Sequence, residues 1–335
     1  MITLDTLRSP LHSGLVAIAV LTLGCAPAND KAAESPAADA PVATEAADQT
    51  PPTLEDFATA TFDTIGQEAF QLTDGKWEGE PFVEGGASLP MVWLTDDFYL
   101  SADLDGDGAE DAVAHLTFSS GGTGNFGYLA VMGREGDRVF QKGIAGIGAR
   151  VQIRAARIEG RSIVLDVLQA GPEDAMCCPT ELATRTFAMQ GSELVETSTE
   201  VVGTASLATL EGREWVLRKL SSTEAAPEEP EITLTVEGGR VSGSSGCNNY
   251  NGTISRGETA TSITVGPLMT TRKACPPEIM NLEQRYTAAL QGAESWSFRL
   301  GLLVINYRQE ETFGSLFFEG REPTPRSQGA QDVRG

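Results

Sequence analysis

Two cysteine-containing segments constrain this chain more than any other part of it. Residues 246–252 read Gly-Cys-Asn-Asn-Tyr-Asn-Gly, and residues 270–276 read Thr-Thr-Arg-Lys-Ala-Cys-Pro. Cys247 lies in a run of glycine and asparagine that is typical of a turn, because both residue types tolerate positive φ. Cys275 follows 28 positions later, immediately before a predicted helix. The fold must therefore accommodate a turn and a helix start that each carry a thiol.

The predicted helix runs from Pro277 to Gln291. Proline suits the first turn of a helix, and Gly292 suits its C-terminal end. Apolar and aromatic residues recur along it at i, i+4, i+7 and i+8 and form one stripe: Leu282, Tyr286, Ala289 and Leu290. The rest of the region reads as short strands bounded by turns, so we expect one helix packed against a sheet.

These two segments resemble the META domain of the HslJ-type heat-shock lipoproteins, over about residues 207–320. The resemblance implies a curved sheet with one helix and a location outside the cytoplasm. It implies no reaction, and members of the family are linked to heat and drug tolerance at the envelope. It also implies a disulfide between Cys247 and Cys275, since the two match the family positions. In this part, Arg272 and Glu283 are candidates for a structural ion pair where the sheet meets the helix.

The N-terminus reads as a lipoprotein signal peptide over residues 1–24. Residues 14–23 form an apolar core of ten residues, too short to span a bilayer. Leu-Thr-Leu-Gly-Cys follows, which resembles a bacterial lipobox, so Cys25 is the predicted lipidation site. The alternative is an ordinary secretory signal with an incidental cysteine. Ala26 follows the cysteine, which by resemblance favours the outer membrane, facing the periplasm.

Charge and composition narrow the partners of the chain. The net charge is −23, which repels nucleic acid and anionic phospholipid alike. Residues 25–53 are rich in alanine, proline and acidic residues and are expected to form a disordered tether, and residues 321–335 a disordered tail. We therefore expect contact with the membrane through the lipid, an envelope protein as a possible partner, and no nucleic acid.

Residues 54–203 form a predicted first domain that is mainly antiparallel β. It opens with a possible helix from Leu54 to Ile65 and continues as short β-branched or aromatic runs between Gly/Asp turns. Residues 159–161, Glu-Gly-Arg, signal a hairpin. The region resembles an uncharacterised secreted bacterial module. The whole chain is thus predicted to be mainly β, a β-rich α+β protein of two domains, 54–203 and 207–320.

An acidic loop in the first domain is the strongest candidate for chemistry. Carboxylates at positions 1, 3, 5 and 9 of residues 103–111, with glycine at position 6, can converge on one hard cation: Asp103, Asp105, Asp107 and Asp111. The loop resembles the calcium-binding hairpins of FG-GAP-like repeats, but Ala114 stands where an EF-hand has its bidentate glutamate. Weak Ca²⁺ binding is one interpretation, and a solvated acidic turn is the other.

Four cysteines remain once Cys25 is assigned to lipid, and four allow three connectivities. Cys177 and Cys178 are adjacent and are predicted to form a vicinal disulfide, although they could remain thiols or bind a metal. The sequence offers no nearby histidine for a zinc site.

Enzymatic constellations are sparse. His115 is the single histidine outside the predicted signal peptide, and neither Ser119 nor Ser120 lies in a Gly-x-Ser-x-Gly motif. We therefore predict a non-catalytic, lipid-anchored envelope protein with a binding or stress-related role. The alternatives are an extracytoplasmic hydrolase and an inhibitor or partner-binding module for another envelope protein.

Overall fold

Two antiparallel sheets, built from strands in chain order, make up the structure between Lys76 and Thr204. The computed structural model describes residues 50–322 except 64, 66–68, 82, 123 and 176–177. Within that part, five strands form the first sheet: β3 (Lys76–Glu78), β4 (Met91–Ala102), β5 (Asp111–Ser119), β6 (Asn125–Glu135) and β7 (Arg138–Ala149). Four strands form the second: β8 (Gln152–Glu159), β9 (Ser162–Gln169), β10 (Glu181–Gln190) and β11 (Glu193–Thr204). The predicted hairpin at 159–161 joins β8 to β9.

Successive side chains of a strand point to opposite faces of its sheet, and the five-stranded sheet carries apolar residues on both faces. One face packs against the four-stranded sheet through buried residues such as Val113, Leu129 and Phe187. The other face packs against α1 (Leu54–Ala58) and the two-stranded ribbon β1 (Thr61–Phe62) and β2 (Phe70–Gln71). This first part therefore has two apolar layers of its own.

The first helix is shorter than the predicted 54–65. It begins at a capping box in which Thr53 and Asp56 bond each other's backbone, and it ends at Ala58. Beyond it, Phe62 pairs with Phe70 across β1 and β2. Phe62 on β1 and Ile65 are both buried in the same apolar cluster. The apolar residues that suggested a longer helix are therefore accounted for by the packing beside this ribbon.

A further antiparallel sheet, of nine strands, spans Glu214 to Arg321. A short 3-10 helix, Leu207–Leu210, precedes it. The strands are β12 (Glu214–Lys219), β13 (Thr233–Glu237), β14 (Arg240–Ser244), β15 (Asn249–Arg256), β16 (Ile263–Val265), β17 (Met269–Thr270), β18 (Ala293–Arg299), β19 (Leu302–Gln309) and β20 (Thr312–Arg321). They are ordered β16-β15-β14-β13-β12-β20-β19-β18, with β17 paired to β15. The two ends meet, since Trp296 N–H donates to Thr261 O at 2.9 Å.

The predicted helix is confirmed as α2 (Pro277–Gln291), between β17 and β18. Its buried residues are Tyr286, Ala289 and Leu290, three members of the predicted stripe. They join Trp215 and Trp296 in the core of the curled sheet. No helix in the described residues has the length and apolarity that a membrane crossing requires; α2, the longest, has 15 residues.

The predicted class, mainly β with a helix on a curved C-terminal sheet, is confirmed. The domain limits 54–203 and 207–320 stay predictions. Among the described residues no strand ladder joins the two parts, yet residues 46–335 form one compact unit. The signal peptide, Cys25 and nearly all of the tether and tail lie outside the described residues.

Candidate functional site

The acidic loop connects β4 to β5, and its aspartates fold it. Asp103 accepts backbone N–H groups with both oxygens, from Gly106 at 2.6 Å and from Gly108 at 3.2 Å. Asp107 Oδ1 accepts the N–H of Ala109 at 2.7 Å. Both glycines have φ near +90°, at +86° and +89°, which other residues adopt only at a cost. Several carboxylate oxygens are thus engaged by the backbone of the loop itself.

The remaining oxygens converge on Lys142 from β7. Its Nζ lies 2.7 Å from Asp105 Oδ2, Asp107 Oδ2 and Asp111 Oδ1. An ammonium has three donors, and three carboxylates surround this one. Asp111 is fully buried and also accepts the N–H of Leu104 at 3.0 Å. We call Lys142 with Asp105, Asp107 and Asp111 the Lys142 cluster.

A β-bulge aims Lys142 at the loop. In the β6–β7 pair, Val131 lies opposite Gly143 and Met132 lies opposite Gln141, which leaves Lys142 as the extra residue. A bulge changes the direction in which a side chain leaves the strand. Sequence reasoning missed this lysine, because register between distant strands determines its position.

Gly133 on β6 makes the approach of Lys142 possible. A Cβ atom at position 133 would lie 2.5 Å from Lys142 Cε and 3.0 Å from its Cδ. The lysine stem therefore passes over a site where only a hydrogen fits.

The electrostatics favour a charged lysine. Burial opposes the charge, but hydrogen bonds to Asp105, Asp107 and Asp111 outweigh it and raise the pKa of Lys142. The hydrogen bond from Lys142 lowers the pKa of Asp107. At Asp111 the two effects oppose each other: burial raises the pKa of this carboxyl, and the Lys142 and Leu104 hydrogen bonds offset part of that rise. Lys142 thus offsets part of the cost of burying the carboxyl of Asp111.

The loop carboxylates also have the geometry of a cation site. Asp103, Asp105 and Asp111 each offer an oxygen, and these atoms lie within 4.8 Å of one another. Asp107, the fourth predicted ligand, is not one of these three residues but contacts the same lysine, Lys142. Carboxylate oxygens suit Ca²⁺, so the residues fit that ion, but the ammonium already lies among them.

His115 lies on β5 in a structural setting. Its Nδ1 is 2.8 Å from Thr95 Oγ1, and its ring packs 5.9 Å from that of Phe98. Burial lowers the pKa of His115 from 6.5 to about 4. The imidazole is therefore neutral at pH 7. Ser119 Oγ, considered as a nucleophile, accepts the N–H of Gly121 at 3.4 Å.

We expect His115 to make folding stability depend on pH. Between pH 6.5 and 4 the unfolded chain binds a proton that the folded chain does not, so stability falls as the pH falls through this window and the loss is complete below about 4. At 1.36 kcal/mol per pKa unit, the loss by pH 4.5 is about 2–3 kcal/mol. Urea unfolding at pH 7 and 4.5 should show a larger loss of unfolding free energy for wild type than for His115→Gln. An imidazole that titrates near 6.5 by NMR would contradict the assignment.

In the C-terminal sheet, Asn248 joins three segments. It is 2% exposed, and its Oδ1 accepts from Thr271 Oγ1 at 2.8 Å and from Lys273 N at 2.7 Å. Its Nδ2 donates to Glu283 Oε1 at 3.0 Å. The cysteine-bearing turn, the segment before α2 and α2 itself are thereby held together. The amide after Cys247 and the hydroxyl of Thr271 therefore have a structural role in this junction.

The predicted ion pair between Arg272 and Glu283 is wrong. Glu283 Oε2 instead accepts from Ser245 Oγ at 2.6 Å and from the Asn248 N–H at 2.8 Å. Arg272 is exposed and joins no ion pair in the described part of the chain. Donors from the cysteine-bearing turn already bond the half-buried carboxylate of Glu283. This carboxylate therefore needs no arginine to satisfy its hydrogen-bonding capacity.

Cys247 and Cys275 form a disulfide, as the resemblance implied, with Cα atoms 6.0 Å apart. The vicinal bridge between Cys177 and Cys178 stays a prediction, because Cys177 lies outside the described residues. Cys178 is partly buried, and its N–H donates to Ala175 O at 2.9 Å.

Comparison with known proteins identifies the family of the C-terminal part. Residues 208–316 match the META domain family model, so this part is a META domain. No curated protein matches the chain. A solved structure described as the NMR structure of the protein from Burkholderia xenovorans is 22% identical, covering 38% of this chain and 97% of its own, with a TM-score of 0.28.

Proposed function

We propose that this is a non-catalytic, lipid-anchored protein of the bacterial envelope that binds another molecule. The observation that carries the proposal is the Cys247–Cys275 disulfide within the META domain. Structural disulfides persist in oxidising compartments and are rare in the cytosol. The bridge thus supports a site of action outside the cytoplasm, which agrees with the lipobox-like sequence ending at Cys25.

The setting of the candidate catalytic residues supports a role without catalysis. A general base works best with a pKa near the operating pH, whereas burial lowers that of His115 to about 4. Asp105, Asp107 and Asp111 are engaged by Lys142. These residues have structural partners in place of the setting that hydrolysis requires, which supports a role without catalysis and makes hydrolysis the second candidate.

Anchoring is tested by expressing the full chain in a bacterium and analysing the mature N-terminus by mass spectrometry. We expect diacylated Cys25 in the membrane fraction, because acyl chains each contribute about 0.8 kcal/mol per buried CH₂. Cys25→Ser should abolish the modification and release the protein, whereas the matched control Cys178→Ser should remain anchored. An unmodified Cys25, or cleavage elsewhere, would disprove the anchor.

The candidate roles are separated by two further assays on the same preparation. Capture of one defined envelope protein by the detergent-solubilised chain favours the inhibitor or partner-binding alternative. Esterase, glycosidase or peptidase turnover that His115→Gln abolishes would establish the hydrolase instead.

We further propose that the acidic loop binds Ca²⁺ weakly, in competition with Lys142. Three carboxylates converge within reach of one ion, which supports binding. Ca²⁺ must displace an ammonium held at 2.7 Å by Asp105, Asp107 and Asp111, which weakens it. Affinity no better than that of extracellular modules, about 10⁻⁴–10⁻³ M, is expected.

A further inference from the structure

A groove lies where the META sheet meets β8. Phe298 N–H donates to Gln152 Oε1 at 2.8 Å, and Gly301 N–H donates to Ile153 O at 3.0 Å. The β18–β19 hairpin is thereby fixed against β8. The groove beside this contact has a volume of about 350 Å³ and takes part of its lining from residues 97–100 of β4. Its size lies within the range of small-molecule sites.

Arg154 lines this groove from a β-bulge. In the β8–β9 pair the register shifts between Ile153 and Ala155, so Arg154 has no position in the ladder. Its guanidinium lies over the ring of the buried Phe298, with Cζ 5.4 Å from the ring centroid. The bulge and the ring contact together hold the guanidinium beside Phe298.

Arg154 has no anionic partner among the described residues. Its Nε is buried and donates to no acceptor, although the chain has 47 acidic residues against 24 lysines and arginines. Burial lowers the pKa of Arg154; nearby Asp166 opposes this and Arg213 adds to it. A desolvated donor without an acceptor destabilises a fold. The terminal NH₂ groups of Arg154 form no hydrogen bond or ion pair among the described residues, and they are the donors that a ligand in the groove can reach.

We propose that the groove at Arg154 binds a small carboxylate with an apolar body. Guanidinium presents parallel N–H groups that match a planar carboxylate. The groove also has apolar walls at Leu100, Ile153 and Leu302. Asp97 and Glu319 on the same lining disfavour a phosphate dianion more than a carboxylate monoanion. This names a ligand class for the binding role proposed above and is independent of the lipid at Cys25.

Benzoate is the probe, because it is a planar carboxylate on an apolar ring. Titration calorimetry of the full-length chain should show saturable binding of benzoate at millimolar concentration. Arg154→Gln should weaken it at least tenfold. Arg154→Lys should weaken it about fivefold, since lysine keeps the charge without the planar fork. The matched control Arg272→Gln, at an exposed arginine, should bind like wild type.

A melting curve separates binding from a structural role. If Arg154 serves the ligand, Arg154→Gln should melt at or above the wild-type temperature while losing benzoate. Absence of saturable binding to wild type, equal binding by Arg154→Gln, or tighter binding of inorganic phosphate than of benzoate would overturn the proposal. If Arg154→Gln fails to fold, the affinity of Arg154→Lys for benzoate is compared with that of wild type instead, and equal affinities would overturn the proposal. Cys25→Ser protein should bind benzoate unchanged, so failure of the anchor and failure of the groove are distinguishable.

Discussion

Replacing Lys142 by methionine is expected to lower the free energy of unfolding by about 3 kcal/mol at pH 7. The substitution leaves three carboxylates facing one another, including Asp111 with no exposed surface. Removing one partner of a buried ion pair costs about 3–5 kcal/mol, and the exposure of Asp105 and Asp107 places this cluster at the low end. Urea denaturation measures the loss. Lys76→Met is the matched control, because Lys76 is exposed and forms no ion pair in the described residues. An equal effect of both substitutions would contradict the role of the cluster.

The same variant shows whether the loop accepts calcium. Without the ammonium the carboxylates are free to bind a divalent ion, and binding to the folded state alone adds about 1.4 kcal/mol at ten times Kd. Millimolar Ca²⁺ should therefore raise the melting temperature of Lys142→Met more than that of wild type. Asp105→Asn with Asp107→Asn should abolish the shift, and Mg²⁺ should do less. If Ca²⁺ changes the melting temperature of neither protein, the loop does not bind Ca²⁺ and is an acidic turn neutralised by Lys142 alone.

Removing the disulfide is expected to have an effect of similar size. Cys247 and Cys275 are 28 residues apart, and closing a loop of that length stabilises the fold by about 3–4 kcal/mol in the chain-entropy model. Cys247→Ala with Cys275→Ala should lose this amount in urea denaturation. Reductant should lower wild-type stability similarly and leave the double variant unchanged.

The sensitivity to reductant is the control for lost packing at Cys247, which is buried. Wild type and double variant with the same stability in oxidising buffer would show that the bridge contributes nothing.

Much of the C-terminal part was predictable from sequence. The limits of α2 followed from Pro277, Gly292 and the spacing of its apolar residues, all of which act within a few turns of helix. The disulfide followed from resemblance, since the cysteines lie in two segments that match a known family. The acidic loop between two strands also followed from local signals, because Asp and Gly determine turn conformation within a few residues.

The partners of the charged groups were decided by tertiary structure. Lys142 reaches Asp111 because of a bulge in β7 and a glycine at position 133, and neither the register nor the bulge is visible in sequence. Glu283 was predicted to pair with Arg272, yet Asn248 and Ser245 provide its donors. Arg154 Nε has no acceptor among the described residues, at a bulge of β8 beside the contact with the META sheet. Local patterns determine elements, whereas the position of a charge depends on which strands pair and where their register shifts.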